Sequence, residues 1–193
     1  MPVPLKIDFV SDISCPWCVI GLRALEQAIA RLDGQVAVDL HFQPFELNPQ
    51  MPPGGQDIDE HLQQKYGSTP EQAALVRERI RAAGAALGFI FSLQTRSRIY
   101  NTFDAHRLLH WAALEGRQLA LKQALFQAYF TDGEDPSNHQ VLIRAAARVG
   151  LDATRAARIL DSNEFAAVVR KEQAFFQDQG IHAVPAVIII NQH

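Results

Sequence analysis

Residues 9–21 read Phe-Val-Ser-Asp-Ile-Ser-Cys-Pro-Trp-Cys-Val-Ile-Gly and place two cysteines where an apolar strand gives way to a helix. Cys15 falls at the position that precedes the helix, and Pro16 suits the first helical residue. Cys18 follows one turn later, so both thiols are predicted on one helical face, close enough to be joined after a slight tightening of that turn.

The segments around these cysteines predict a β-α-β unit. Residues 5–10 alternate apolar and polar side chains before becoming apolar, which is typical of a strand. From residue 16 to 32 apolar residues recur at spacings of two to four, and residues 36–42 resume strand-like alternation. We therefore expect two parallel strands joined by a helix.

Beyond this unit the chain is predicted to be helical until its last strand. A loop rich in Pro and Gly follows residue 48, and the pattern then indicates helices over almost all of residues 58–179, among them 69–87, 102–114, 119–130, 138–149, 152–160 and 164–179. Residues 186–190 are continuously apolar, which predicts a strand buried on both faces. The predicted organisation is a split domain, 1–50 with 163–193, interrupted by a helical insertion domain, 51–162.

Composition excludes several classes of protein. The 193 residues are 48% hydrophobic and 20% charged, with a net charge of −3, as in ordinary globular domains. No basic stripe that would bind nucleic acid is evident, and no apolar run reaches the length of a membrane span. The sequence begins without the pattern of a secretory signal, so we expect a cytoplasmic protein that binds neither nucleic acid nor membrane.

The chemistry is predicted to lie in the cysteine pair. A sulfur at the start of a helix faces free backbone N–H groups and the positive end of the helix dipole, which stabilise a thiolate. Cys15 is therefore the expected nucleophile, and the more shielded Cys18 the resolving thiol. Two alternatives remain open, half of a zinc site or an inert buried pair, although only two cysteines exist and zinc needs about four ligands.

Three segments resemble one family. Residues 9–21, the stretch Asn101-Thr-Phe-Asp-Ala-His-Arg-Leu108 and the stretch Gly180-Ile-His-Ala-Val-Pro-Ala-Val187 closely resemble the FrnE-like branch of the DsbA family. The resemblance implies an α/β thioredoxin-like fold with a large all-helical insertion, and a thiol-disulfide oxidoreductase whose redox pair is Cys15 and Cys18. The family pattern continues with a hairpin strand and a C-terminal helix, which we expect to be missing here.

The resemblance also implies where a substrate lies. Pro185 matches the proline that is cis in thioredoxin-fold proteins, and the backbone of Val184 would then pair with an extended substrate segment beside Cys15. Trp17 is expected, with Pro16, on the substrate face, where an aromatic ring would hold a peptide or a glutathionyl group. Packing of Trp17 in the core is the alternative.

Two side chains of the second stretch are further candidates. By family position, Asn101 and His106 are expected to border the active-site groove. His106 and His110 are four residues apart, a spacing that suits a metal, but the intervening Arg-Leu-Leu lacks the glutamate of a metalloprotease motif. We therefore expect no metal and favour packing or hydrogen bonding for both histidines.

The leading hypothesis is a cytoplasmic oxidoreductase acting on disulfides and thiols of proteins or small molecules, with no cofactor beyond its own redox disulfide and with glutathione as a candidate co-substrate. One alternative is a glutathione-dependent enzyme of the 2-hydroxychromene-2-carboxylate isomerase or kappa-class glutathione transferase type. Those relatives carry serine at the position of Cys15. Another alternative is a peptide-binding module without enzymatic activity. An exposed apolar sheet edge would favour a homodimer.

Overall fold

A three-stranded sheet with helices on it forms the part of the molecule that carries the cysteines. The computed structural model describes residues 3–92 and 96–191. In chain order the helices and strands are β1 (Val3–Ser11), α1 (Pro16–Arg31), β2 (Val36–Pro44), β3 (Gln56–Asp57), α2 (Ile58–Tyr66), α3 (Pro70–Ala86), β4 (Arg98–Ile99), α4 (Phe103–Leu114), α5 (Gln118–Phe126), a π-helix (Gln127–Thr131), α6 (His139–Arg148), α7 (Ala153–Leu160), α8 (Ala166–Asp178) and β5 (Ala186–Asn191).

The predicted β-α-β unit is confirmed. The strand order is β2-β1-β5, and β1 pairs with β2 in parallel register from Val3 with Val36 to Ser11 with Pro44. Helix α1 connects these two strands. The last strand, β5, pairs antiparallel with β1, and Val10 lies opposite Ala186. This pairing brings the segment before β5 to the same end of β1 as the start of α1.

The prediction that β5 is buried on both faces is wrong. Val187 is 45% exposed and Ile189 is 62% exposed. Within the described residues β5 pairs only with β1 and forms the edge of the sheet, so part of its apolar surface has no covering layer. Continuous apolar character therefore did not distinguish a central strand from an edge strand. The prediction about structure beyond Asn191 lies outside the described residues.

The predicted helices of the middle segment are confirmed, with two differences. The helix expected over 119–130 is α5 followed by a π-helix, in which the consecutive residues Ala128, Tyr129 and Phe130 are all buried. The short antiparallel pair of β3 with β4 was not predicted, because two-residue strands carry no periodicity. No helix within residues 3–92 and 96–191 is both long and apolar enough to span a membrane.

One continuous hydrophobic core joins the sheet to the helices. It runs from Phe9 of β1 and Leu22 of α1 through α4 and α5 to Leu142 of α6 and Ile159 of α7. Cys15 and Cys18 belong to this core. A smaller apolar cluster of Val10, Phe45 and Phe176 lies beneath α8 and β5. The predicted redox pair is thus held between β1 and the helices that follow β2.

Candidate active site

The two cysteines lie at the start of α1. Cys15 has the extended backbone of the residue that precedes a helix, with φ −92° and ψ 111°, and Pro16 is the first helical residue. Both thiols are free and buried, with Cys15 3% and Cys18 0% exposed. The backbone N–H of Cys18 donates to the carbonyl of Cys15 at 3.1 Å. The predicted position of the pair is therefore confirmed.

The surroundings shift the two thiols in opposite directions. A hydrogen bond from the Cys18 thiol, helped by backbone N–H groups of Cys18 and Trp17, lowers the pKa of Cys15, although burial and the charge of Asp12 act against this. Burial raises the pKa of Cys18 well above its ordinary value, and the hydrogen bond and charge of Cys15 add to this effect, whereas the charge of Lys122 opposes it. Cys15 is thus the more acidic thiol.

A buried carboxylate, Asp12, fixes the loop between β1 and α1. Its oxygens accept hydrogen bonds from the Ser14 hydroxyl at 2.8 Å, from the Leu47 backbone N–H at 2.8 Å and from Nε2 of His106 at 3.3 Å. Burial by itself would raise the pKa of Asp12, but the hydrogen bond and charge of His106, together with hydrogen bonds from Leu47 and Thr102, outweigh burial and lower the pKa to about 2. Asp12 is therefore an ionised structural anchor at neutral pH.

His106 connects α4 to this anchor. Its Nε2 lies 3.3 Å from Oδ1 of Asp12 and 3.1 Å from the carbonyl oxygen of Phe45. Both partners are acceptors, so Nε2 carries a hydrogen. His110, one turn later, faces Glu172 at 3.4 Å. The described part of the chain holds no group of three or more His, Cys, Asp or Glu side chains arranged to bind a metal ion.

The segment before β5 completes the site. The Val184–Pro185 peptide bond is cis, as the family resemblance implies. The Cys15 thiol donates to the carbonyl oxygen of Val184, with 3.7 Å between sulfur and oxygen. Gly21 of α1 packs directly beneath Pro185, because a Cβ atom there would lie 3.1 Å from Cγ of the proline. A residue without a side chain therefore permits this close approach.

A large cavity opens at Cys15. Its volume is about 910 Å³, and it lies between the start of α1, the segments after β2 and before β5, and helices α2 and α3. Cys15, Pro16, Trp17 and Val184 line it together. Trp17 is 39% exposed, so the prediction of a partly exposed aromatic ring is met and the alternative of core packing is not.

Two buried charged residues also line this cavity. Arg96 stacks on the rings of Tyr129 and Phe130, each centroid 4.9 Å from its guanidinium carbon, and its Nε atom has no hydrogen-bond partner among the described residues. Glu46 receives hydrogen bonds on Oε2 from Arg170 and Gln173, while its Oε1 has no such partner in the described chain. Both residues therefore retain hydrogen-bonding capacity beside the cavity.

The two predicted site residues of the second stretch take part in hydrogen bonds within the protein. Asn101 accepts a hydrogen bond from the backbone N–H of Phe103, the first residue of α4, at 2.9 Å, and His106 is buried against Asp12. Neither is among the described residues that line the cavity. Sequence reasoning missed Asp12 and Lys122. Asp12 is held by Leu47 and His106, which lie far from it in the sequence, and Lys122 lies on a helical face that is otherwise apolar.

The sequence model of the DSBA-like thioredoxin domain matches residues 6–193, almost the whole chain. The chain belongs to the DSBA-like thioredoxin domain family. The predicted resemblance to DsbA proteins and the predicted α/β thioredoxin-like fold with a helical insertion are thereby confirmed.

The chain is similar to several known proteins. A probable DsbA oxidoreductase of Streptomyces coelicolor, SCO1869, superposes with a TM-score of 0.89 at 32% identity over 96% of this chain and 80% of that one. YwbO of Bacillus subtilis is 26% identical over 98% of this chain and 88% of its own. A 2-hydroxychromene-2-carboxylate isomerase shares the fold, with a TM-score of 0.74 at 12% identity over 97% of this chain and 86% of that one.

Proposed function

We propose that this DSBA-like protein is a thiol-disulfide oxidoreductase in which Cys15 is the nucleophile and Cys18 the resolving thiol. The observation that carries the proposal is the asymmetry of the pair: the pKa of Cys15 is lowered and the pKa of Cys18 is raised. Cys15 also lines a cavity large enough for a substrate. An inert structural pair would need neither feature.

The exchange runs in two steps. The Cys15 thiolate attacks one sulfur of a substrate disulfide and forms a mixed disulfide, and the other substrate sulfur leaves as a thiolate. Cys18 then attacks the Cys15 sulfur, closes the Cys15–Cys18 disulfide and releases the second substrate thiol. Oxidation of a substrate reverses both steps. The reduction potential decides the direction, since about 30 mV corresponds to roughly 1.4 kcal/mol for this two-electron couple.

The substrate class that fits is a disulfide or thiol of a protein or a small molecule. Trp17 offers an apolar surface beside Cys15, and Arg96 and Glu46 offer polar groups in the same cavity. Glutathione, which carries carboxylates, an amine and peptide groups around its thiol, is the proposed small co-substrate. Replacement of Arg96 by Met should then slow reoxidation by glutathione disulfide more than reoxidation by an uncharged disulfide of similar size.

The deciding experiment compares wild type with Cys15→Ser and Cys18→Ser in reduction of insulin disulfides and in oxidation of a reduced peptide. Cys15→Ser should lose both activities. Cys18→Ser should retain the first step and accumulate mixed disulfides, so trapping with this variant in cells would also identify substrates. Equal rates for wild type and Cys15→Ser would overturn the proposal.

The two alternatives predict different outcomes of the same comparison. Isomerase activity retained in Cys15→Ser, with no thiol exchange in wild type, would indicate the 2-hydroxychromene-2-carboxylate isomerase type. Peptide binding that is independent of both cysteines, with no turnover, would indicate a binding module. The cytoplasmic location and the homodimer stay predictions, which cell fractionation and measurement of the mass in solution would test.

A further inference from the structure

Lys122 of α5 is a buried cation. Its side chain is 0% exposed, and its Nζ atom has no partner among the described residues. Burial lowers the pKa of its ammonium group to about 8, while the charges of Cys18, Asp12 and Cys15 act in the opposite direction. An unpaired buried charge costs stability, so its presence calls for an explanation.

The groups that surround this ammonium leave it unneutralised. Its Nζ lies 5.8 Å from the ring centroid of Phe42 and 5.1 Å from that of Phe126, and both rings belong to the same buried core as Cys18. These are cation–π contacts, which stabilise a charge without neutralising it. No carboxylate of the described chain accepts a hydrogen bond from Nζ.

The titratable groups near Lys122 are engaged elsewhere. Asp12 is held by His106 and by the Leu47 backbone. Lys122 also lines a separate cavity of about 110 Å³ together with His41, His106, His110 and Glu172. Of these, Glu172 faces His110 at 3.4 Å, and His41 faces the carboxylate of Asp39 at 2.8 Å. The positive charge of Lys122 is therefore left free to act on an anion that forms transiently in the core.

The proposed exchange creates such an anion in its second step. Cys18 is 0% exposed, so water cannot solvate its thiolate. We propose that Lys122 is a positioning residue for resolution: its buried ammonium stabilises the Cys18 thiolate that releases the substrate. This inference rests on the proposed function.

The step balances without an added reagent. Cys18 loses its proton, and its thiolate attacks the Cys15 sulfur of the mixed disulfide. The Cys15–Cys18 bond forms as the bond between Cys15 and the substrate sulfur breaks, and the electron pair leaves on the substrate thiolate. That thiolate takes up one proton, equivalent to the one that Cys18 lost. The cysteine pair is oxidised, the substrate is reduced, and the charge of Lys122 is unchanged.

Reaction with Ellman's reagent separates the two steps in one experiment. Attack by Cys15 releases a first coloured thiolate, and resolution by Cys18 releases a second. In Lys122→Met, which gives an unbranched side chain of similar length without the charge, the second phase should slow about tenfold or more near neutral pH, because each unit of pKa changes the thiolate fraction about tenfold. The first phase should change less than about threefold. The pH profile of the second phase should move to higher pH.

Lys171→Met is the matched control, because Lys171 is exposed on α8 and should leave both phases unchanged. Lys122→Met should fold, since it replaces a buried unpaired charge by an apolar side chain of similar length, and its melting temperature should equal or exceed that of wild type. A second phase with the rate and pH profile of wild type would overturn the role of Lys122. A wild type that shows no fast first phase would instead overturn the proposed function.

Discussion

The Cys15 thiol lies 3.7 Å from the carbonyl oxygen of Val184, across 169 positions of the chain. The two residues meet because β5 pairs antiparallel with β1, which brings the segment before β5 beside the start of α1. The surroundings of the reactive sulfur therefore depend on two distant segments. A change in the packing between α1 and the Val184–Pro185 segment should alter the reactivity of Cys15 more than the stability of the fold.

Replacement of Gly21 by Ala tests this dependence. The added Cβ would lie 3.1 Å from Cγ of Pro185 and 3.5 Å from Cζ of Phe9, so the proline segment must move by a few tenths of an ångström. The cost of overpacking, about 1–3 kcal/mol, is partly offset by the better helix propensity of Ala, about 1 kcal/mol. We expect a severalfold change in the alkylation rate of Cys15 with a net stability change below about 2 kcal/mol.

Ala28→Gly is the control for Gly21→Ala, since Ala28 is exposed on the same helix. It should cost about 1 kcal/mol through helix propensity and leave the alkylation rate unchanged. Alkylation kinetics and urea unfolding measure the two effects separately. An unchanged Cys15 rate in Gly21→Ala would show that the proline segment does not influence the sulfur.

The two cysteines should differ in reactivity toward iodoacetamide. Because the pKa of Cys15 is lowered and the pKa of Cys18 is raised, Cys15 should be alkylated at least about tenfold faster at neutral pH. The tryptic peptide 7–23 contains both cysteines, and fragment ions that separate Pro16 from Trp17 assign the label. In Cys15→Ser, alkylation of Cys18 should stay slow until the protein is unfolded in urea. Equal labelling of both thiols in the native protein would contradict the asymmetry.

The two tryptophans should respond differently to truncation. Trp17 is 39% exposed beside the cavity, whereas Trp111 is 4% exposed in the core of α4. Trp17→Ala should raise the KM for a peptide disulfide severalfold and change the free energy of unfolding by less than about 1 kcal/mol. Trp111→Ala should lose about 3–5 kcal/mol of stability. Peptide reduction kinetics and urea unfolding provide the measurements, and a KM unchanged in Trp17→Ala would exclude that ring from substrate binding.

Local patterns were sufficient to predict the β-α-β unit, the middle helices and the place of the cysteines. Residues 16–32 carry a strong helical repeat, and Pro16 marks its start. The same reasoning failed for β5, because burial of a strand depends on which layers cover it and not on its own composition. Ile189 is as apolar as a central strand residue and yet is 62% exposed.

The electrostatic surroundings of the pair could not be predicted from the sequence, since they come from distant segments. Lys122 and His106 lie more than 80 positions after Cys15 in the sequence, and the packing of α4 and α5 against β2 brings them toward the sheet that carries it. One signal was present for Lys122: it lies four residues before Phe126 and next to Leu121, on a helical face that is otherwise apolar. A lysine on such a face indicates a buried charge.

The acid sensitivity of the fold should depend on Asp12. Its pKa in the folded protein is about 2, against an ordinary value of 3.8, so the folded state holds the ionised form more strongly than the unfolded state does. The resulting stability, about 2 kcal/mol, is fully present above about pH 4, where the unfolded carboxyl is also ionised. It is lost as the pH falls from about 4 toward 2, because the unfolded chain takes up the proton first.

Asp12→Asn should remove this contribution. At neutral pH the variant should be less stable by about 2 kcal/mol. A further loss is expected because the carboxylate oxygen of Asp12 accepts hydrogen bonds from Ser14 and Leu47. An Asn NH2 group in that place is itself a donor and cannot accept them. The difference from wild type should shrink as the pH approaches 2. Urea unfolding from neutral pH to about pH 2 measures this difference in the free energy of unfolding. Asp178→Asn, the same change at an exposed position of α8, is the control. A constant difference between wild type and Asp12→Asn at every pH would mean that the destabilisation comes from lost hydrogen bonds alone and that the carboxylate's ionisation is not linked to folding.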